Sequence, residues 1–145
     1  MGVFQMRASY FSRSLLGSLT LIAAAATPWL AQAQTGAIPE MKSGGAGQYV
    51  CGGVGVDEST AMRAAMKDHP LSLLFARAGG AYLANVDVAV KDASGATALA
   101  MRTDGPICLV DLPAGRYTVE ASTDGVTKSE AVTLGRGART ADFRW

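Results

Sequence analysis

The sequence contains little of what catalytic and cofactor sites are usually built from. Its 145 residues include one histidine, His69, two cysteines and only 7% aromatic residues. A structural zinc site takes about four Cys or His ligands, and no phosphate-binding glycine motif or EF-hand loop is present. No serine lies in a G-x-S-x-G sequence that would support a nucleophile next to His69. We therefore predict that the chain is not an enzyme and has no catalytic residue, no cofactor and no metal site.

Charged residues are also sparse, at 17% of the chain, with 13 Lys and Arg against 12 Asp and Glu. The two signs are interspersed, and no block of either sign occurs. Proteins that bind nucleic acids or anionic membranes usually carry a clustered basic surface. We therefore expect no nucleic-acid partner and no attachment to an anionic membrane surface.

Residues 1–33 have the features of a secretory signal peptide. Arg7 and Arg13 form a basic start without acidic residues, and a Leu- and Ala-rich apolar stretch follows. Small residues then occupy the two positions that signal peptidase reads, in an A-x-A sequence that ends at Ala33. We predict cleavage between Ala33 and Gln34, and a mature protein that is periplasmic or secreted.

The alternative is a membrane anchor, because the uncharged stretch 14–35 is long enough to cross a bilayer. Gly17, Pro28 and the A-x-A site favour a processed signal instead, and Met6 is an alternative start. Removal of residues 1–33 takes away two basic residues, so the remaining 112 of the 145 residues carry a net charge of −1. We expect no integral membrane segment after processing.

Cys51 and Cys108 are the only cysteines, and both lie beyond the predicted signal. In an oxidising compartment an even pair most simply forms a disulfide. Two buried free thiols or a shared metal are the alternatives, although two cysteines and one distant histidine make a poor zinc set. We predict a Cys51–Cys108 disulfide.

The remaining chain divides into parts by composition. Residues 34–48 are Gly-rich, lack apolar periodicity and are predicted to be a flexible leader. A single domain is expected over 49–145. It begins with one short helix at about 57–68, where Asp57 is placed to cap the first turn and apolar residues recur at helical spacing.

From Leu71 onward the apolar pattern changes to the alternation typical of strands. Seven strands are predicted, over 71–77, 82–91, 97–103, 107–112, 116–122, 126–134 and 141–145. A bulge or bend near Ala84 and Asn85 is expected in the second of them. No helical segment separates the strands, which argues against the crossovers of a parallel sheet. The predicted fold is mainly β: a seven-stranded antiparallel β-sandwich preceded by one short α-helix.

Two motifs in this region resemble the carboxypeptidase regulatory-like family. Asp92-Ala93-Ser94-Gly95 is similar to its D-x-x-G turn, and the segment from Leu112 to Val119 is similar to its L-P-x-G-x-Y-x-V strand start. The resemblance implies a transthyretin-like (prealbumin-like) sandwich in a small secreted bacterial protein. Gly115 would allow a sharp turn, and the Tyr117 hydroxyl would bond back across it in a tyrosine corner; a plainly packed tyrosine is the alternative.

The resemblance implies a fold and no activity. Hydroxyisourate hydrolases share this fold, but their several histidines and C-terminal Tyr-Arg-Gly-Ser are missing here. We expect a module for protein interaction, or with a structural role in the cell envelope, that binds another envelope or secreted protein at a sheet edge. An accessory carbohydrate- or cell-wall-binding module is the alternative, which a row of exposed aromatic side chains would support.

The signal-peptide hypothesis makes a direct prediction for the exported protein. Its intact mass and its N-terminal sequence should place the first residue at Gln34, because signal peptidase cuts after the A-x-A sequence. A chain that remains in the membrane fraction with residues 1–33 attached would support the anchor alternative instead.

Overall fold

The computed structural model describes residues 37–145, so the predicted signal peptide and the Ala33–Gln34 junction lie outside the described residues. The described part has nine strands and one α-helix, α1, followed by a short 3₁₀ helix. The strands are β1 (Lys42–Gly44), β2 (Gly47–Gly52), β3 (Leu71–Ala76), β4 (Asp87–Asp92), β5 (Thr97–Arg102), β6 (Ile107–Asp111), β7 (Gly115–Thr123), β8 (Val126–Leu134) and β9 (Arg139–Arg144). Helix α1 (Val56–Ala65) and the 3₁₀ helix (Met66–Asp68) lie between β2 and β3.

The strands form two sheets in a sandwich-like arrangement. One sheet has the order β1-β2-β6-β3-β9, and the other has the order β5-β4-β7-β8. Alternate residues of the two sheets face each other and form the main apolar core. Leu71, Leu73 and Phe75 from the first sheet and Val90 and Val119 from the second are completely buried there. The fold is therefore mainly β with one short α-helix, as the alternating pattern predicts.

The prediction of seven strands is wrong, because the described part has nine. All seven predicted strands are present, six of them with shifted ends, and the two additional strands, β1 and β2, precede the helix. Strand β1 lies within residues 34–48, the segment predicted to be a flexible leader. The glycines of this segment allow the backbones of neighbouring strands to lie close together. A Cβ atom at Gly47, the first residue of β2, would come within 2.1 Å of the Asp111 carbonyl oxygen on β6. The high glycine content of this segment suggests disorder, but at Gly47 glycine is required because no side chain would fit between the strands.

One strand pair also departs from the predicted antiparallel arrangement. Strand β9 runs parallel to β3, in a register that places Leu71 opposite Arg139 and Phe75 opposite Phe143. No crossover helix is needed, because the chain passes through strands of the other sheet between β3 and β9. The Phe75 and Phe143 rings stack across the pair with centroids 5.7 Å apart. The sandwich is therefore mixed, with one parallel pair at the edge of the five-stranded sheet.

Helix α1 covers the outer face of the five-stranded sheet. Met62 is fully buried against Val50 of β2 and against Ile107 and Leu109 of β6. These side chains form a second, smaller apolar core on the side of the sheet that faces away from the four-stranded sheet. The five-stranded sheet thus buries apolar side chains on both of its faces.

The helix and the second predicted strand begin at other residues than expected. The helix starts at Val56 without a side-chain cap, so Asp57 lies in its first turn and does not cap it. The second predicted strand starts only at Asp87. Asn85 has a φ of 58°, and the chain bends at this left-handed residue, at the position where the sequence predicts a bulge or bend.

The close approach at Gly47 gives a prediction for stability. Gly47→Ala should lower the free energy of unfolding by about 1–3 kcal/mol, because the added methyl group displaces backbone atoms of β6. Gly79→Ala is the matched control, since a Cβ atom at Gly79 meets no atom within 4 Å. We expect the control to change stability by less than about 0.5 kcal/mol in chemical denaturation. Equal stability of both variants would contradict the packing argument.

Candidate functional site

Cys51 and Cys108 form a disulfide, as predicted. They lie directly opposite each other on the antiparallel strands β2 and β6, with Cα atoms 4.1 Å apart. Both side chains are buried in the main core, where the Met101 sulfur lies 3.8 Å from the Cys51 sulfur. Because β2 leads directly into α1, the bond fixes the helix-bearing segment to the centre of the five-stranded sheet.

Gly115 and Tyr117 are the first and third residues of β7, directly after the turn that contains Pro113. The Tyr117 hydroxyl donates a hydrogen bond to the carbonyl oxygen of Pro113 at 2.7 Å. The tyrosine side chain is otherwise buried in the main core. Its hydroxyl satisfies a backbone acceptor at the corner while its ring fills apolar space, which is the arrangement of a tyrosine corner.

Asp92 organises the turn between β4 and β5. Its Oδ1 atom accepts hydrogen bonds from the Ser94 hydroxyl at 2.6 Å, the Ser94 N–H at 2.9 Å and the Ala96 N–H at 3.1 Å. The Ser94 hydroxyl is the largest cause of a pKa for Asp92 below its ordinary value, and the two backbone bonds add to it. The carboxylate is thus bound within its own turn, where it holds the start of β5 in place.

His69 is paired with a carboxylate that no sequence motif indicates. Its Nδ1 atom lies 2.6 Å from Asp111 Oδ1, although 42 residues separate the two along the chain. His69 has extended backbone geometry after the 3₁₀ helix, and Asp111 ends β6. The antiparallel pairing of β3 with β6 brings these two strand ends together. The pair connects the segment after the helix to the central strand of the sheet.

A small apolar surface lies near the start of the helix. Val54 and Tyr82 are 66% and 59% exposed and line a cavity of about 250 Å³. Arg63 lies over the Tyr82 ring, 5.5 Å from its centroid, and donates a hydrogen bond to the tyrosine hydroxyl. The other aromatic side chains in residues 37–145 are buried or half-buried. This part of the chain therefore contains no row of exposed aromatic rings.

Strand β8 is a long edge strand with no strand paired on its outer side, although the Trp145 indole N–H donates a hydrogen bond to the carbonyl oxygen of its first residue, Val126, at 3.2 Å. It contains nine residues and is the outermost strand of the four-stranded sheet. Its pairing with β7 runs from Val126 to Leu134 without a register shift. An edge strand presents unpaired backbone N–H and C=O groups to which another strand can add. The sequence predicts this strand, but strand order depends on distant contacts, so its edge position could not be predicted.

The sandwich carries no obvious ligand cluster. Within the described residues, no group of three or more His, Cys, Asp or Glu side chains is placed to hold a metal ion. In the same part of the chain, no helix is both long enough and apolar enough to cross a membrane. No protein-family model matches the sequence, and no curated protein matches it significantly. The resemblance to carboxypeptidase regulatory-like domains therefore stays a prediction.

The disulfide gives a prediction for stability. Replacement of Cys51 and Cys108 together by alanine should lower the free energy of unfolding by about 2–4 kcal/mol, because the bond closes a 57-residue separation in the unfolded chain. Chemical denaturation of the oxidised protein and of the double variant measures the difference. In the presence of reductant the difference between the two proteins should shrink. An unchanged difference under reducing conditions would assign the loss to cavity formation in the core.

Proposed function

We propose that this chain is a non-catalytic module that binds another protein through the free edge of the four-stranded sheet. The observation that carries the proposal is strand β8, which has nine residues, an uninterrupted register and backbone pairing with only one strand. Side chains of its first four residues are all exposed. A partner strand would gain main-chain hydrogen bonds along this edge, and the exposed side chains would select the partner.

The proposed location is the periplasm or the extracellular space. The buried Cys51–Cys108 disulfide supports it, because such bonds form and persist in oxidising compartments. The signal-like sequence of residues 1–33 supports it independently. In that location the partner would be another envelope or secreted protein.

We propose further that the domain is related to carboxypeptidase regulatory-like sandwiches. Support comes from two structural details at the positions of the resembling motifs. Asp92 accepts three hydrogen bonds within its D-x-x-G turn, and Tyr117 bonds back to Pro113 within the L-P-x-G-x-Y segment. Such domains offer a scaffold, so the proposed role is binding and not catalysis.

Carbohydrate or cell-wall binding has weaker support. A stacking surface for sugars would use exposed aromatic rings, and Tyr82 is the one exposed ring among the described residues. One face of that ring is already in contact with Arg63. The free strand edge is the larger unpartnered feature, and we therefore favour protein binding.

Site-specific photo-crosslinking in intact cells tests the proposal. A benzoyl-phenylalanine residue at Ala131, which is exposed on β8, should produce a covalent adduct with a protein partner that mass spectrometry can identify. The matched control is Ala100, an exposed alanine on β5 at the opposite edge of the same sheet. That edge is partly occupied, because the Ala46 N–H donates to the Ala98 carbonyl oxygen at 2.7 Å.

We expect adducts at Ala131 and few or none at Ala100. No protein adduct at Ala131, or equal adducts at both positions, would refute binding through the β8 edge.

A further inference from the structure

The free edge of β8 has a defined set of available backbone groups. The turn from β7 to β8 has two residues, Asp124 and Gly125, both with positive φ, so the flanking residues Thr123 and Val126 form the first hydrogen-bonded pair. Hydrogen-bonded and non-hydrogen-bonded pairs alternate along antiparallel strands. The backbone groups that point away from β7 therefore belong to alternate residues, namely Thr127, Ser129, Ala131 and Thr133.

Two charged side chains lie on the other set of alternate residues. Lys128 and Glu130 are opposite Ala121 and Val119 of β7, which are completely buried, so both charges extend from the inner face of the strand. Lys128 is exposed and Glu130 is half-buried. Within residues 37–145 neither of them is in an ion pair, whereas Lys91 and Glu120 on the neighbouring strands pair at 3.0 Å. The edge thus carries one positive and one negative charge, two residues apart, without partners.

We propose that β8 pairs antiparallel with β8 of a second copy of this chain, about a two-fold axis at Ser129. This inference names the partner for the edge proposed above and rests on that proposal. In this register Ser129 is opposite its own copy, and Lys128 is opposite Glu130 of the second copy. Two reciprocal ion pairs form on either side of the axis, as a self-complementary interface requires.

The remaining residues are compatible with the same register. Val126 is opposite Val132 of the second copy, and Thr127 is opposite Ala131 of the second copy. Ser129 has outward backbone groups, so the two copies of Ser129 form a hydrogen-bonded pair at the axis. Lys128 and Glu130 then form non-hydrogen-bonded pairs, in which side chains lie closer together. Four strands from each copy would combine into one eight-stranded sheet.

The charges exclude the neighbouring symmetric registers. An axis at Lys128 would place two lysines directly opposite each other, and an axis at Glu130 would oppose two glutamates. Like charges directly opposite across two strands are destabilising. An axis between two residues would place backbone groups that point away from β7 opposite groups of the second copy that point toward its own β7. The hydrogen bonds between the two β8 strands would then not form. Ser129 is therefore the axis position that gives both charges partners of opposite sign.

The other sheet edges fit a second copy less well. Strand β5 is contacted by the β1–β2 segment through Ala98, and its pairing with β4 has a register shift. Strand β1 has only three residues. Strand β9 has six residues, and its Arg144 is paired with Asp142 on the same strand. Strand β8 is the longest free edge and the one with complementary unpaired charges.

Charge reversal tests the interface in the purified mature protein. Sedimentation equilibrium should show a concentration-dependent dimer. Lys128→Glu alone and Glu130→Lys alone should each weaken it by about tenfold or more, since both ion pairs become repulsive. The double variant Lys128→Glu/Glu130→Lys restores opposite charges across the axis and should recover the dimer. Circular dichroism and thermal unfolding check that each variant is folded.

A cysteine at the axis reports the register independently. Ser129→Cys should form a disulfide-linked dimer on mild oxidation, because the two copies of residue 129 are directly opposite and within disulfide range. Thr127→Cys is the matched control: it is exposed on the same strand face but is four residues away from its own copy in this register. We expect the covalent dimer for residue 129 and not for residue 127.

The outcomes separate this inference from the proposed function. A monomer at all concentrations, failure of the double variant to recover the dimer, or covalent dimers at residue 127 in place of 129 would overturn the pairing with a second copy. If photo-crosslinking at Ala131 captures a different protein while the purified chain stays monomeric, the edge binds a partner and only the second copy is wrong. Capture of a second copy in cells supports both.

Discussion

Strand β6 is the constraint on which the rest of the sandwich depends. Four consecutive residues, from Ile107 to Val110, are completely buried. Cys108 and Val110 face the main core between the sheets, while Ile107 and Leu109 face the smaller core under the helix. One strand therefore belongs to both apolar cores, and β2 and β3 pair on its two sides. The disulfide and the His69–Asp111 pair both end on this strand, so covalent, polar and apolar contacts converge there.

The sequence predicts the parts of this structure that depend on local pattern. Alternating apolar residues locate all seven predicted strands from Leu71 onward. The Cys51–Cys108 bond follows from the number of cysteines and from the predicted oxidising compartment. These features are predictable because each is encoded in neighbouring residues or in a single possible pairing.

The features that the sequence does not reveal are those that depend on distant contacts. Strands β1 and β2 lie in glycine-rich sequence, and Gly47 is informative only when the carbonyl oxygen of Asp111 is known to lie against it. The parallel pairing of β9, the proximity of His69 to Asp111 and the edge position of β8 likewise follow from strand order. Composition cannot distinguish a glycine that permits flexibility from one that permits close contact.

The parallel β3–β9 pair also determines when the domain can form. Residues 71–76 have their outer neighbour at residues 139–144, so the five-stranded sheet is incomplete until the C-terminal strand is available. Such non-local pairing is intrinsically slow, because the entropy cost of closing a long loop must be met before the contacts can stabilise it. The five-stranded sheet can therefore be completed only after residues 139–144 have been synthesised.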